Sequence, residues 1–428
     1  MRNSILIVLV SLFSFGQIQA DTLTLSRAEY KDKLYGFWLG QCIANWTGIV
    51  TEMDKVGGDG ITGVFYTSDD WGKADLPNFF GRSMPELSST IDWVIRPPNE
   101  IWGADDDTDI EYIYQHLLNQ HHTTRLTGEQ IRDGWLTHIF DENEHGENFL
   151  SVSNQEAHNL MLNGTVPPDT SDPQLNPFYE MIDAQLTTEI FGLYAPGRPD
   201  IALQMAHLPI RTTARDEAAL ASEFYVVMHS LAAAADAGAD RKQQILQMAS
   251  QARAHLPDDS TSAKMYDYVK SRYEAGIPWE QTRDEVYQRY QVEQQDGYDM
   301  TSRNIFCNGC FAAGINFAAS IVSLLYGEGD YQQTVKIAVL AGWDSDNPAA
   351  TWGGMLGFMD GQQGIEEAFG LKFSDRFNIH RTRTGFPTPN GVDNFDNMAD
   401  AGLRIVDRVV RQELSGEVTD TGWTIPLP

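Results

Sequence analysis

Apolar residues recur at helical spacing along most of this chain, and turn-forming residues fill the intervals. Ser26, Arg27, Ala28 and Glu29 make an S-x-x-E capping box. Leu34, Phe37, Trp38, Leu39 and Ile43 come next and predict a helix over residues 30–46. Ile110, Ile113, Tyr114, Leu117 and Leu118 stand at i, i+3, i+4, i+7 and i+8 and predict another. The Ala-rich run 216–237 is apolar on most faces, as a buried helix is. Residues 241–256, 261–275 and 279–292 are amphipathic and charged, which fits peripheral helices. Residues 311–326 are small and apolar and predict a second central helix. Gly327-Glu328-Gly329-Asp330 then turns the chain into a helix over 331–340.

The remaining segments read as connections. Residues 53–103 are rich in Gly, Pro, Asp and aromatic residues, 157–177 in Pro and Asn, and 375–400 lack a periodic pattern. A helical pattern over 178–193 is broken by Ala195-Pro196-Gly197-Arg198-Pro199, and 401–414 predicts a last helix. With no β alternation, internal repeat or linker, the expectation is an all-α fold in one domain over residues 21–428.

Composition extends this picture. The chain is 42% hydrophobic with 10 Trp, 16 Tyr and 20 Phe, enough for a large core. A formal charge of −30 argues against nucleic acid or an anionic membrane as partner. Arg2, the apolar run 5–15 and Gln19-Ala20 before Asp21 read as a signal peptide over residues 1–20, with a periplasmic or secreted product and no stable membrane association after cleavage. Of Cys42, Cys307 and Cys310, the last two form C-N-G-C without a second pair for zinc. They are expected as buried thiols or one structural disulfide. Residues 54–60 fail the spacing of a calcium loop and read as a solvated turn.

The chemistry concentrates in two acidic helix starts. Asp344 and Asp346 precede Asn347, a good N-cap, and Pro348, which suits a first helical position. Ala349, Ala350, Gly353, Gly354 and Gly357 come after them, and so many small residues imply close approach of a neighbouring backbone. Asp105, Asp106 and Asp107 stand just before the helix that carries Ile110. Each acidic start by itself could simply complement a helix dipole. If the two starts meet, however, five carboxylates share one place. Two like charges about 4 Å apart repel by roughly 4 kcal/mol at an effective dielectric of 20. Hard divalent cations with oxygen ligands, Mg²⁺, Mn²⁺ or Ca²⁺, resolve that repulsion.

Three segments in order resemble the ADP-ribosylglycohydrolase family. Gly36, Gly40, Ala44-Asn45, Gly48 and Glu52 match its glycine-spaced first motif, with Ala and Asn in place of Gly and Asp. Asp106-Asp107-Thr108 match its Asp-Asp-Thr, with Asp105 where the family has a hydroxyl residue. Gly342-Trp343-Asp344-Ser345-Asp346 and then Asn347 match its late Asp-x-Asp motif. The resemblance covers about residues 34–360 and also takes in Ala184 to Pro199. It implies a single multi-helix orthogonal bundle around a central cleft with two Mg²⁺ or Mn²⁺ ions. It also implies hydrolysis of an N- or O-glycosidic bond, typically of ADP-ribose.

By the same resemblance Asp106, Asp107, Asp344 and Asp346 would be metal ligands, with Asp105 and Asn347 replacing hydroxyl ligands. Glu52 and Asp107 would take the catalytic roles, Glu52 in proton transfer or in positioning water. The implied partner is a small-molecule glycoside or an ADP-ribose-type substrate. A non-catalytic, metal-stabilised glycan- or nucleotide-binding relative is the competing reading. A serine hydrolase is disfavoured by the lack of a G-x-S-x-G elbow. Asp105 adds a charge consideration: two divalent ions against five carboxylates leave +4 − 5 = −1. On that count a neutral glycoside is expected ahead of an anionic ADP-ribose adduct.

Overall fold

The computed structural model describes residues 22–427 except 58–62, 143–145, 237, 304–306 and 308. The proposed signal peptide, residues 1–20, lies outside the described residues, as does part of the 54–60 turn. The helices, numbered in chain order, begin with α1 (Arg27–Gly48), α2 (Asp106–Gln120), α3 (Gly128–His138), α4 (Val152–Leu162), α5 (Ile190–Tyr194), α6 (Pro199–Ile210) and α7 (Asp216–Ala232). They continue with α8 (Arg241–Arg253), α9 (Thr261–Glu274), α10 (Trp279–Val286), α11 (Ala313–Gly327), α12 (Tyr331–Ala341), α13 (Asp346–Phe369) and α14 (Phe395–Gln412). The fold is all-α in class, as the periodicity predicts. No described helix is long and apolar enough to cross a membrane.

α1 and α13 form the axis, and their glycines explain why. The two helices run antiparallel, with Gly36 and Gly40 against Gly357 and Gly353. A Cβ on Gly40 would stand 2.9 Å from the Cα of Gly357, and one on Gly48 would stand 2.9 Å from Asp346 Cβ. Backbone therefore meets backbone along the whole seam, and the end of α1 is pressed onto the start of α13. Gly→Ala in an exposed helix stabilises by up to about 1 kcal/mol. At Gly40 the sign reverses, because the methyl would meet backbone that cannot yield locally. Gly40→Ala is expected to destabilise by about 1–3 kcal/mol, the range for overpacking, measured by urea unfolding.

Ser26 caps α1 as its sequence context suggests, its Oγ accepting from the Glu29 N–H at 3.4 Å. α7, α8, α9 and α10 match the predicted spans to within a few residues, and a π-helical turn, Tyr287–Val292, extends α10. Around α7, α11 and α13 lies a continuous apolar core that includes the fully buried Trp38, Trp102, Trp135, Trp343 and Trp352.

Three helix expectations need correction. The 157–177 connection begins as helix, since α4 runs through Leu162. Residues 178–193 are not one helix but turns, a 3₁₀ turn (Ile182–Ala184) and then α5. Here the Asp183 carboxylate accepts from Ser153 N–H at 3.2 Å and Asn154 N–H at 3.3 Å, so it caps α4 from outside and fixes a non-helical path. The final helix starts at Phe395, earlier than residue 401.

Short strands also exist. One antiparallel sheet joins β1 (Thr22–Ser26) to the C-terminal β6 (Gly422–Pro426) and β5 (Glu417–Val418). A second sheet orders β2 (Trp102–Gly103), β3 (Arg376–Asn378) and β4 (Val392–Asn394), with β2 parallel to β3. Strands of two to five residues are too short for alternation to show in sequence. By pairing β3 with β2, the second sheet lays the chain around residues 376–381 beside the start of α2.

Candidate active site

The contact of Gly48 with Asp346 delivers the turn after α1 to the start of α13. Thr51 Oγ donates to the Val339 carbonyl at 2.6 Å and lies 2.9 Å from Ser345 Oγ. Met53 N–H donates to the Trp343 carbonyl at 2.8 Å, and Trp343 N–H to the Lys55 carbonyl at 2.6 Å. Residues 51–55 and 343–345 are thereby laced together, with Glu52 between them. Gly342 and Trp343 both have positive φ, 100° and 57°. That left-handed pair turns the chain sharply out of α12, and the buried Trp343 indole anchors it through Gln291 Oε1 at 2.8 Å.

The two acidic helix starts do meet. One set of carboxylate oxygens, from Glu52, Asp344 and Asp346, lies within 4.8 Å of one another, and so does a second set from Asp105, Asp107 and Asp346. Asp346 belongs to both sets. Its Oδ1 is buried without a hydrogen-bond partner, the condition expected of an oxygen meant for a cation. Asp107, Asp344 and Asp346 are buried, whereas Glu52, Asp105 and Asp106 retain some exposure. Asp106 stands in neither set.

Burial first raises the acids of this cluster above their ordinary range. Neighbouring carboxylates add to this for Glu52, Asp106, Asp107, Asp344 and Asp346, whereas Arg381 opposes it at Asp105. For Glu52 the neighbours are led by Asp346 and Asp344, for Asp107 by Asp346 and Asp106. Burial and then Asp105 push Asp346 up to about 7. Such a site favours protons or cations over bare negative charge.

Asn347 is not the cap that its sequence context suggests. α13 already begins at Asp346 after Ser345, so Asn347 falls in the first turn. Its side chain is spent across the site instead: Nδ2 donates to Asp107 Oδ1 at 3.2 Å, and Oδ1 accepts from Gln185 Nε2 at 3.3 Å. Sequence pattern alone does not single out Gln185, because its segment reads as helix rather than as a wall of the site.

The same residues fall within a known family pattern. The family model described as ADP-ribosylglycohydrolase matches residues 26–385, a span that includes both carboxylate sets, Asn347 and Gln185. The chain belongs to the ADP-ribosylglycohydrolase family. A hydrolase acting on glycosidic bonds is what that membership entails. Among solved structures the chain is similar to an "ADP-ribosylglycohydrolase-related protein complex", at 16% identity and a TM-score of 0.51, over 89% of this chain and 99% of that one. At that identity the likeness speaks for the fold alone. Comparison with curated proteins yields no match.

Two departures from the family pattern prove to be partners. Asn45 Nδ2 donates to Asp105 Oδ2 at 3.2 Å. Arg381, carried in beside α2 by the second sheet, pairs with Asp105 Oδ1 at 3.1 Å and donates to the Ala104 carbonyl at 2.6 Å. Its guanidinium lies over Trp46 at 4.8 Å and over Phe149 at 5.4 Å. The Arg381 guanidinium thus pairs with the extra charge counted at Asp105.

Behind the cluster lies a further buried polar layer. Asp109 forms an ion pair with the buried Arg383 at 2.9 Å. Glu111 and Glu189 face each other, both raised first by burial, with Gln41 donating to Glu111 at 2.6 Å and Thr351 to Glu189 at 2.6 Å. The available signal in the sequence is Asp109 and Glu111 themselves, charged residues on a helix whose other faces are apolar.

Proposed function

We propose that this family member hydrolyses an N- or O-glycosidic bond at the anomeric carbon of a ribosyl-type sugar, with a pair of divalent cations held by the acidic cluster. Mg²⁺ or Mn²⁺ fits the all-oxygen donor set best. The supporting observation is Asp346, shared by two carboxylate sets and carrying an unpartnered buried oxygen. Asp344 and Glu52 would complete one set and Asp105 and Asp107 the other, with Asn347 holding Asp107 in place and Asp106 as a further oxygen donor beside them. When bound, the cations would supply Lewis acidity that lowers the pKa of a water and orients sugar hydroxyls.

The chain's own groups do the rest. Glu52 is less buried than Asp344 and Asp346, so its carboxyl can reach a substrate and hold or move a proton there. Asn347 fixes one oxygen of Asp107, leaving the other for the reacting centre. Arg381 stands beside Asp105 with its side chain 35% exposed, positioned for an anionic group of the substrate. This favours an ADP-ribose adduct over a neutral glycoside, and the proposal includes export of the protein on the strength of residues 1–20.

The test is incubation with Mg²⁺ and a panel of ADP-ribosylated and simple glycosides, with free ADP-ribose or free sugar as the product. Turnover of an ADP-ribose adduct is expected. A metal-loaded protein that cleaves no member of the panel would instead support the non-catalytic reading. Arg381→Gln should lower kcat/KM for the ADP-ribose adduct by about 10-fold or more, the scale of one charge-assisted hydrogen bond, and change neutral glycosides much less. Equal losses on both would reduce Arg381 to a support for Asp105.

A further inference from the structure

Asp344 stands in the turn between α12 and α13. The chain reaches it through the left-handed pair Gly342 and Trp343, a conformation that surrounding contacts must maintain. Its N–H donates to Asn316 Oδ1 at 3.2 Å, and Asn316 is buried in the first turn of α11. The other end of that amide is fully used. Asn316 Nδ2 donates to the Cys310 carbonyl at 2.8 Å and to the Ala312 carbonyl at 2.9 Å. These partners fix which way the amide faces, because the flipped form would set its oxygen against two carbonyls and its NH₂ against an N–H.

Cys310 is buried and forms a disulfide with Cys307, three residues earlier. The chain just after it is held as well: Ile182 N–H donates to the Phe311 carbonyl at 2.9 Å and Ala313 N–H to the Glu180 carbonyl at 3.0 Å. Cys310 thus lies between its disulfide to Cys307 and the segment 311–313, which pairs with residues 180 and 182.

We propose that Asn316 is a positioning residue for Asp344, and that the Cys307–Cys310 disulfide sets Asn316 through the Cys310 carbonyl. The affinity of the acidic cluster for divalent cations then depends on the redox state of the pair. This rests on the reading of that cluster as a divalent-cation site. In the switching step a dithiol reductant gives two electrons and two protons to the S–S bond. Cys307 and Cys310 become thiols, and the reductant becomes its own disulfide. Without the cross-link the Cys310 carbonyl can turn away, Asn316 Nδ2 keeps only the Ala312 carbonyl, and the Oδ1 that accepts from the Asp344 N–H is held less firmly.

Calorimetric titration of the full chain with Mg²⁺ tests this. It compares oxidised wild type, wild type reduced by a dithiol, Cys307→Ser and Asn316→Ala, with thermal unfolding recorded for each. Reduction and Cys307→Ser should each weaken Mg²⁺ binding by about 10- to 100-fold, the usual effect of losing a group that orients a metal ligand. Asn316→Ala should weaken it as much in the oxidised state and show no further loss on reduction, which a merely structural effect would not produce. Mg²⁺ binding indifferent both to reduction and to Asn316→Ala would overturn the relay alone. Sensitivity to reduction that persists in Asn316→Ala would overturn the route through Asn316. Absence of Mg²⁺ binding by the oxidised wild type would overturn the metal reading and the relay with it.

Discussion

Asp346→Asn is expected to abolish Mg²⁺ and Mn²⁺ binding at both carboxylate sets while leaving the fold intact. The reason is position: Asp346 is the one residue common to both sets, so no other single substitution removes a ligand from each. Loss of the cations would take away Lewis-acid stabilisation on the order of 4 kcal/mol, and turnover should fall by about 10³-fold or more.

The same substitution should leave the metal-free protein more stable, not less. Asp346 is pushed up to about 7 by burial and by Asp105, so the folded state prefers it protonated. A carboxyl whose folded pKa exceeds its unfolded value, roughly 3.9, contributes stability that is complete below that value. The contribution is lost as pH rises through about 7. The metal-free wild type should therefore lose thermal stability over that window. Asn, which resembles the protonated acid, should remove the share of that loss due to Asp346, and Mg²⁺ should flatten the profile in the wild type alone. Calorimetry and unfolding curves from about pH 4 to 8, the span of those two values, check both halves. Retained metal binding in Asp346→Asn would remove the central premise of the site.

Glu52→Gln is expected to lower turnover by roughly 10² to 10⁴, the range for losing an acid–base group. The structure adds a second effect, because Glu52 is grouped with Asp344 and Asp346 at ligand distance. One cation of the pair should bind more weakly, while the set of Asp105, Asp107 and Asp346 keeps its own. The Mg²⁺ stoichiometry should thus fall from two toward one, in contrast to Asp346→Asn. Unchanged kcat together with unchanged stoichiometry would make Glu52 a bystander.

Much of the scaffold was legible in the chain. The helix cap at Ser26, the apolar stripe after Asp107 and the run of small residues after Asp346 each act within a turn or two of helix, where sequence spacing is spatial spacing. The glycines of α1 and the small residues of α13 implied a close backbone contact, and Gly48 against Asp346 is that contact. It is also what brings Glu52 to the cluster. The five aspartates were likewise legible, because burying so many acids at two helix starts has few outlets other than cations or protons.

Other parts of the site are made by residues far apart in sequence. Arg381 reaches Asp105 across 276 positions, carried by a two-residue parallel pairing that leaves no periodic trace. Gln185 and Asn316 are uncharged residues in segments whose pattern points only to helix, and their role depends on what stands opposite them. Asn347 has the local setting of a cap, yet in the folded chain its buried amide binds Asp107 instead.

By itself, then, the sequence determined most of the long helices, where the backbones of α1 and α13 must touch and which carboxylates stand at helix starts. Local spacing and side-chain chemistry are enough for that. Only the tertiary structure decided that Asp346 serves both carboxylate sets, that Arg381 answers the charge of Asp105 and that Asn316 holds Asp344. Those outcomes depend on which buried polar groups meet once the helices pack. The meeting is set by three-dimensional shape and by the demand that each buried group find a partner, and neither is written in the spacing of a single segment.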